Sequence, residues 1–278
     1  MVIFIALLCL ILPGFYTGLN VVHYQVDAEA LAGPVRIAFV SDLHSCAYGQ
    51  GMRELIDAVD RESPDIVLLG GDLFDDALPE DNTVDFLRGI AGKYPCYYAT
   101  GNHEYLNGAE AFAARMELLE GLGVVRLNGS MDTVDIRGSR LNICGVDDVL
   151  AWTGDVDPQA TRVKSLRVQV EGVTALPKDG DYTILLAHRP EMFEDIYFAS
   201  DCDLILAGHA HGGQWIIPGL VNGLYAPYQG WFPQYAGGLY ERDGKNMIVS
   251  RGLARESTDL PRFYNRPELV IVDLRPAE

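Results

Sequence analysis

At 278 residues, with 49% hydrophobic and 10% aromatic side chains, the chain can bury a full core and is not a disordered segment. Its 21 basic against 39 acidic residues leave a net charge of −18, which repels a nucleic-acid backbone, and no basic patch offsets it, so no nucleic-acid partner is expected. The five cysteines show no Cys-x-x-Cys spacing and read as buried free thiols, which favours a reducing compartment; Cys46, two residues after His44, is either a small buried hydrophobe or a thiol near the site. In chain order, residues 1–26 carry no charged side chain and residues 2–12 are unbroken apolar sequence. A helix over residues 1–22 would span roughly 30 Å, enough for a bilayer. Residues 1–20 are therefore expected to be an N-terminal membrane anchor or an uncleaved signal, and residues 21–278 the folded domain. No Lys or Arg precedes Arg36, so the side of the membrane is not read.

Residues 22–26 alternate with period two and suit an edge strand that opens the domain, with His23 structural or exposed. The apolar run 35–40 ends in Ser41-Asp42-Leu43-His44. Met52, Leu55, Ile56 and Val59 then recur at helical spacing and stop before Pro64. The run 65–69 ends in Gly70-Gly71-Asp72-Leu73-Phe74-Asp75, and a helix is expected over 83–91. Residues 95–100 end in Gly101-Asn102-His103-Glu104, and a further helix over 108–122 carries Phe112, Met116 and Leu119 on one face. Strand and helix alternate so far, which is an α/β order with crossover connections. From Val124 the texture changes to short strands, 124–127, 133–136 and 141–144, which suggests a second sheet packed on the first. Residues 147–154 read as irregular, and the polar stretch 159–171 has no assignment. The run 182–187 ends in His188, and 204–207 ends in Gly208-His209-Ala210-His211-Gly212-Gly213-Gln214. In the Gly- and Pro-rich segment 218–238, Tyr225, Tyr228, Trp231, Phe232 and Tyr235 are either a lip beside the site or filler between sheets. Residues 240, 247–249 and 269–272 read as closing strands, with no internal repeat to divide the domain.

Each of five buried runs delivers an oxygen or nitrogen ligand at its carboxyl end, the edge where open α/β sheets build sites. His209 and His211, two residues apart in an extended chain, can reach one site together. With Asp42, His44, Asp72, Asn102 and His188 they make seven donors and no thiolate, more than one tetrahedral zinc needs. Two divalent ions sharing one carboxylate are expected, and manganese, iron or zinc suits the mixed imidazole and carboxylate set better than calcium. Such a pair polarises a phosphoryl group and activates a water that attacks phosphorus.

These blocks resemble the calcineurin-like metallophosphoesterases, whose pattern of D-x-H, GD-x-x-D, GNH-[DE], a lone His and GH-x-H is met in order from Asp42 to His211. The resemblance implies an αββα sandwich: two mixed β-sheets packed face to face and flanked by helices, with the metal site at the strand C-terminal ends. It implies a binuclear phosphoesterase in which Asp42, His44 and His211 hold one metal and Asn102, His188 and His209 the other, with Asp72 bridging. His103 would protonate the leaving oxygen or stabilise the phosphate oxygens, with Asp75 orienting its ring. Glu104 would support the site or do nothing. Arg251 and Arg262 could grip a substrate phosphate or pair with the acidic surface. Gly212-Gly213-Gln214, the N-terminal apolar segment, residues 250–253 and Arg262-Phe263 are similar to the bacterial membrane-anchored phosphodiesterase branch, some members of which cleave the pyrophosphate of UDP-diacylglucosamine. The expected substrate is a phosphodiester or pyrophosphate, lipid-linked or nucleotide-sugar, at the membrane. The alternatives are a phosphomonoesterase on a small soluble substrate and a noncatalytic metal-binding scaffold.

Overall fold

The apolar runs that end in polar motifs are strands. The computed structural model describes residue 9 and residues 11–152, 158–176, 180–257 and 260–276. Strands β1 (Asn20–Asp27), β2 (Val35–Val40), β3 (Ile66–Leu69), β4 (Cys96–Tyr98) and β5 (Val125–Arg126) come first. Helices α1 (Arg53–Glu62), α2 (Asp81–Ile90) and α3 (Gly108–Gly121) connect β2 through β5. Then follow β6 (Ser130–Ile136), β7 (Ser139–Gly145), helix α4 (Pro158–Thr174), β8 (Tyr182–Leu186) and β9 (Leu204–Ala207). The two-residue strands β10 (Tyr225–Ala226) and β11 (Gly230–Trp231), then β12 (Gly238–Arg242), β13 (Lys245–Val249) and β14 (Glu268–Arg275) complete the order.

Twelve of these strands form two mixed sheets, one in the order β1-β14-β2-β3-β4-β5 and the other β12-β13-β9-β8-β7-β6, while β10 and β11 pair with each other. In the first, β2 to β5 are parallel and β14 runs antiparallel to β2. In the second, β7, β8, β9 and β13 are parallel, flanked by antiparallel β6 and β12. Strand side chains alternate between faces. In β2, Ile37 and Phe39 therefore enter the core between the sheets, with Leu68, Ile184 and Leu206, while Ala38 and Val40 meet the helix layer of Leu55, Val59 and Phe86. Burial on both faces is why these strands read as near-continuous apolar runs. On the outer face of the second sheet, α4 lays Leu166, Val170 and Val173 against Cys144, Leu185 and Ile205. That helix covers the unassigned polar stretch: Val163, Leu166, Val170 and Val173 recur at helical spacing and pack inward, but the exposed Val168 and the charged residues between them blur the pattern.

The membrane anchor is corrected by the structure. Among the described residues no helix is long and apolar enough to cross a membrane. The expected span is broken by a 3-10 turn at Leu12–Phe15 and gives way to strand β1 at Asn20. Pro13 lacks the N–H and has the ring clash that stop a helix. The turn lies on the domain, with Tyr264 N–H donating to Gly14 O at 2.6 Å and Phe15 edge-on to Phe263. β1 is tied in parallel register to β14 from Asn20↔Glu268 to Asp27↔Arg275. Residues 1–8 and 10 of the expected anchor lie outside the described residues.

Candidate metal centre

Because β2, β3 and β4 run parallel in one sheet and β8 and β9 in the other, their polar ends meet at one edge of the sandwich. The sheets are joined there by His188, whose Nδ1 contacts Gly70 O at 2.8 Å. The backbone after each strand must turn sharply to aim its ligand inward. Asp42, His44, Asp72, His209 and His211 all sit at φ between 47° and 65°, a region non-glycine residues rarely occupy and one where strain concentrates at functional sites. Glycines make room beside them. A Cβ on Gly71, itself at φ 90°, would come within 2.3 Å of Gly101 N, and one on Gly208 within 2.3 Å of Asp42 Oδ2.

The result, among the described residues, is three clusters of donors whose ligand atoms lie within 4.8 Å of one another: Asp42, His44, Asp72 and His211; Asp72, His188 and His209; and, beside the first, His44, Asp75 and His103. Asp72 belongs to the first two. Its Oδ2 is 3.1 Å from His188 Nε2 and 3.6 Å from His44 Nε2, while Asp42 Oδ1 is 3.6 Å from His211 Nε2. Asp42 is further held by Ser41 Oγ at 2.6 Å and the His209 N–H at 2.9 Å. Buried polar atoms are ordinarily hydrogen-bonded. Here His44 Nε2, His188 Nε2, Asn102 Oδ1 and His211 Nδ1 are buried without a hydrogen-bond partner. Imidazole nitrogens and an amide oxygen left this way, beside two buried carboxylates, fit divalent cations.

Burial alone would raise the Asp72 carboxyl, but His188 and His44 outweigh it and hold it well below the usual carboxylate range. Burial pushes His188 down, yet Asp72 and Asp42 carry it up to about 10. Burial dominates at His209 and His211, which are held well below the ordinary imidazole value, helped by Arg189 and His44 respectively.

Around these groups the structure corrects one expected pairing. Asp75 does not orient His103; its Oδ2 lies 3.1 Å from His44 Nδ1. Burial would raise the Asp75 carboxyl, but His44 and the N–H groups of Leu78 and Ala77 hold it down to about 2. The ring of His103 is held instead by Asp76, at 2.8 Å from Nδ1, and stacks edge-on to His44 with centroids 4.3 Å apart. The two carboxylates are adjacent in sequence, and only the turn after β3 decides which faces which histidine. Glu104 is fully buried and accepts the N–H groups of Gly101, Asp72, Leu73 and Phe74 at 2.7–3.3 Å, clamping two ligand loops together.

Both expected substrate arginines donate to backbone carbonyls. Arg262 is 2% exposed and donates to the carbonyls of Ala254 and Arg251, fixing the loop whose Leu253 N–H contacts Asp42 O. Arg251 donates to Asn222 Oδ1 and Gly237 O. A different arginine stands beside the centre. Arg189, directly after His188, binds Asp148 through Nε at 2.5 Å and Nη2 at 3.2 Å and turns Nη1 to His209 Nε2 at 3.2 Å. Asp148, Arg189 and Glu191 were not singled out from the sequence, whereas Tyr228, whose ring covers the guanidinium at 4.6 Å, belongs to the expected aromatic loop. The one available signal was a charged pair directly following a buried strand and its histidine. Of the aromatic loop, Tyr235 is buried, whereas Tyr228, Trp231 and Phe232 are about two-thirds exposed or more, and so do not fill the gap between the sheets. Trp215, Leu224, Tyr225, Trp231 and Leu260 line a groove of about 380 Å³ that begins at Gly213 and Gln214, two residues beyond His211.

Residues 35–213 match the family profile described as calcineurin-like phosphoesterase. The chain is 28% identical to phosphodiesterase YaeI of Escherichia coli over 94% of its own length and 89% of that protein. It is 27% identical to an uncharacterised metallophosphoesterase of Helicobacter pylori, over 98% of its own length and 69% of that protein. With an uncharacterised metallophosphoesterase of Campylobacter jejuni it shares 30% identity over 90% of its own length and 62% of that protein.

Proposed function

The chain belongs to the calcineurin-like phosphoesterase family, and we propose that it hydrolyses phosphodiester or pyrophosphate bonds at a centre of two divalent cations, with residues 21–278 as the hydrolase unit. The observation that carries this reading is the presence of Asp72 in two donor clusters, beside buried His44 Nε2 and His188 Nε2 that have no hydrogen-bond partner. Asp42, His44 and His211 would hold one ion, and Asn102, His188 and His209 the other, with Asp72 shared. The donor set of imidazole, carboxylate and amide oxygen suits manganese, iron or zinc. When bound, the ions would supply Lewis acidity to the phosphoryl oxygens and lower the pKa of a water.

The chain's own residues supply the rest. His103 is about a quarter exposed at the edge of the centre, and Asp76 on Nδ1 fixes a proton there. That leaves its other nitrogen to give a proton to a leaving oxygen. Preference for a diester draws support from the similarity to phosphodiesterase YaeI. Preference for a lipid-linked substrate draws support from the apolar groove that starts two residues past His211 and is large enough for several methylene units.

Steady-state rates with added Mn²⁺ on a phosphomonoester, a diester and a nucleotide-sugar pyrophosphate, each with and without an acyl chain in detergent micelles, test the reading. The diester or pyrophosphate should be cleaved fastest, and Trp231→Ala should slow only the acylated forms. A fastest monoester overturns the bond preference, and equal loss on both substrate forms overturns the role of the groove. No hydrolysis from protein loaded with both ions would leave a scaffold.

A further inference from the structure

Glu191 lies in the 3-10 turn Pro190–Met192, one turn beyond His188. Both of its carboxylate oxygens are buried and neither has a hydrogen-bond partner. An acceptor left this way destabilises a fold unless something completes it. Its nearest charged or ionisable neighbours are Arg189 Nη1, 3.5 Å from Oε1, and His209 Nε2, 3.9 Å from the same oxygen. Arg189 is already engaged through Nε and Nη2 with Asp148, so only Nη1 is free to turn.

The contact between Arg189 Nη1 and His209 Nε2, at 3.2 Å, fixes the direction of that ring. A guanidinium only donates, so Nε2 accepts and the ring proton sits on Nδ1. A nitrogen with a guanidinium at this distance is not the one that binds a cation. Nδ1 is therefore the ligand atom, and ligation through Nδ1 requires its lone pair. The neutral ring then carries its single proton on Nε2, so one proton leaves Nδ1 for solvent and one is taken up at Nε2, without net change. Nε2–H now faces Arg189 Nη1–H, two donors with no acceptor between them. Glu191 Oε1 is the carboxylate oxygen beside both, and a shift of about 1 Å brings either into hydrogen-bond range.

We propose that Glu191 is a positioning residue for His209: in the metal-free protein it is held only by the ion pair to Arg189, without a hydrogen bond, and it accepts the Nε2 proton, with Arg189 Nη1, when His209 ligates through Nδ1. The inference rests on the reading of His209 as a ligand of the second ion. It gives that ligand the carboxylate partner that metal-bound imidazoles ordinarily have, and it gives the buried carboxylate a function.

The test uses the full chain, stripped with chelator and titrated with Mn²⁺, as wild type, Glu191→Gln and Glu191→Met. The thermal midpoint of each metal-free protein is the second readout. Glu191→Met should weaken one of two equivalents by about 10- to 100-fold, leave the other, and raise the metal-free midpoint because a buried carboxylate without a hydrogen bond is gone, while Arg189 keeps its partner Asp148. In Glu191→Gln the amide oxygen still accepts from Nε2–H, so affinity should stay within a few-fold of wild type. A group serving only the fold would lower the midpoint instead. Unchanged affinity in Glu191→Met, a lowered metal-free midpoint, or equal damage in both variants overturns the inference alone. A wild type that takes up only one equivalent overturns the two-ion reading on which it rests.

Discussion

Glu104→Gln perturbs the clamp beneath the centre without changing its shape. One carboxylate oxygen accepts the N–H groups of Leu73 and Phe74, the other those of Gly101 and Asp72, at 2.7–3.3 Å, in a position with no solvent access. A carboxylate can accept at both oxygens; an amide can accept at one and must donate at the other. Whichever way the glutamine turns, two buried N–H groups face an NH₂ and lose their acceptor. At about 1–3 kcal/mol for each unpaired group, the loss is roughly 2–6 kcal/mol. Part is recovered, because burial and the neighbouring Asp72 already push the Glu104 carboxyl up, which is the cost of keeping a charge there. At roughly 2–4 °C per kcal/mol for a domain of this size, the metal-free protein should melt about 4–15 °C lower. The four N–H groups belong to the loops that carry Asp72 and Asn102, so metal uptake should weaken along with stability. Thermal unfolding by circular dichroism, followed by titration of the stripped protein with Mn²⁺, measures both. A variant that melts within ~2 °C of wild type and takes up metal normally would show that the loops hold their shape without the clamp.

Asp72→Asn should weaken both equivalents of metal together, because the carboxylate shared by the clusters offsets the repulsion of two cations; elemental analysis giving two full equivalents refutes this. His103→Asn should leave the metals bound and lower turnover on esters with poor leaving groups by roughly 10²–10⁴, with a smaller loss on nitrophenyl esters. Asp76→Asn should follow His103→Asn in direction, whereas Asp75→Asn should act on metal affinity through His44, and exchange of those two phenotypes in kinetics and titration would restore the other pairing. His188, carried to about 10 in the metal-free protein, is protonated near neutrality. A raised folded-state value contributes stability that is fully present below the unfolded value near 6.5 and lost as pH rises through about 10. Metal must displace that proton, so Mn²⁺ affinity should rise with pH up to about 10, by as much as tenfold per unit for each proton released. Calorimetry in two buffers of different ionisation enthalpy reads the release directly, and identical heats would contradict it.

The sequence determined where the donors stand. A strand buried on both faces must be apolar along its length, so a polar residue can enter only where the strand ends, and five such ends in parallel strands share one edge. This is why Asp42, Asp72, Asn102, His188 and His209 were legible before any contact was known. What the chain does at those ends was not legible, since side-chain direction there is set by backbone turns at positive φ and not by a period of 2 or 3.6. The tertiary structure gave Asp75 to His44 and Asp76 to His103. It brought Asp148 from the loop after β7 to Arg189 after β8, 41 residues apart, and turned Arg189 Nη1 toward His209. It fixed Arg262 to backbone carbonyls and left Trp231 and Phe232 in solvent, although hydrophobicity alone favours the reverse. The N-terminal apolar run shows the same limit. Composition measures how gladly residues leave water, and only Pro13 and the register between β1 and β14 decided that residues 20–27 leave it as a strand.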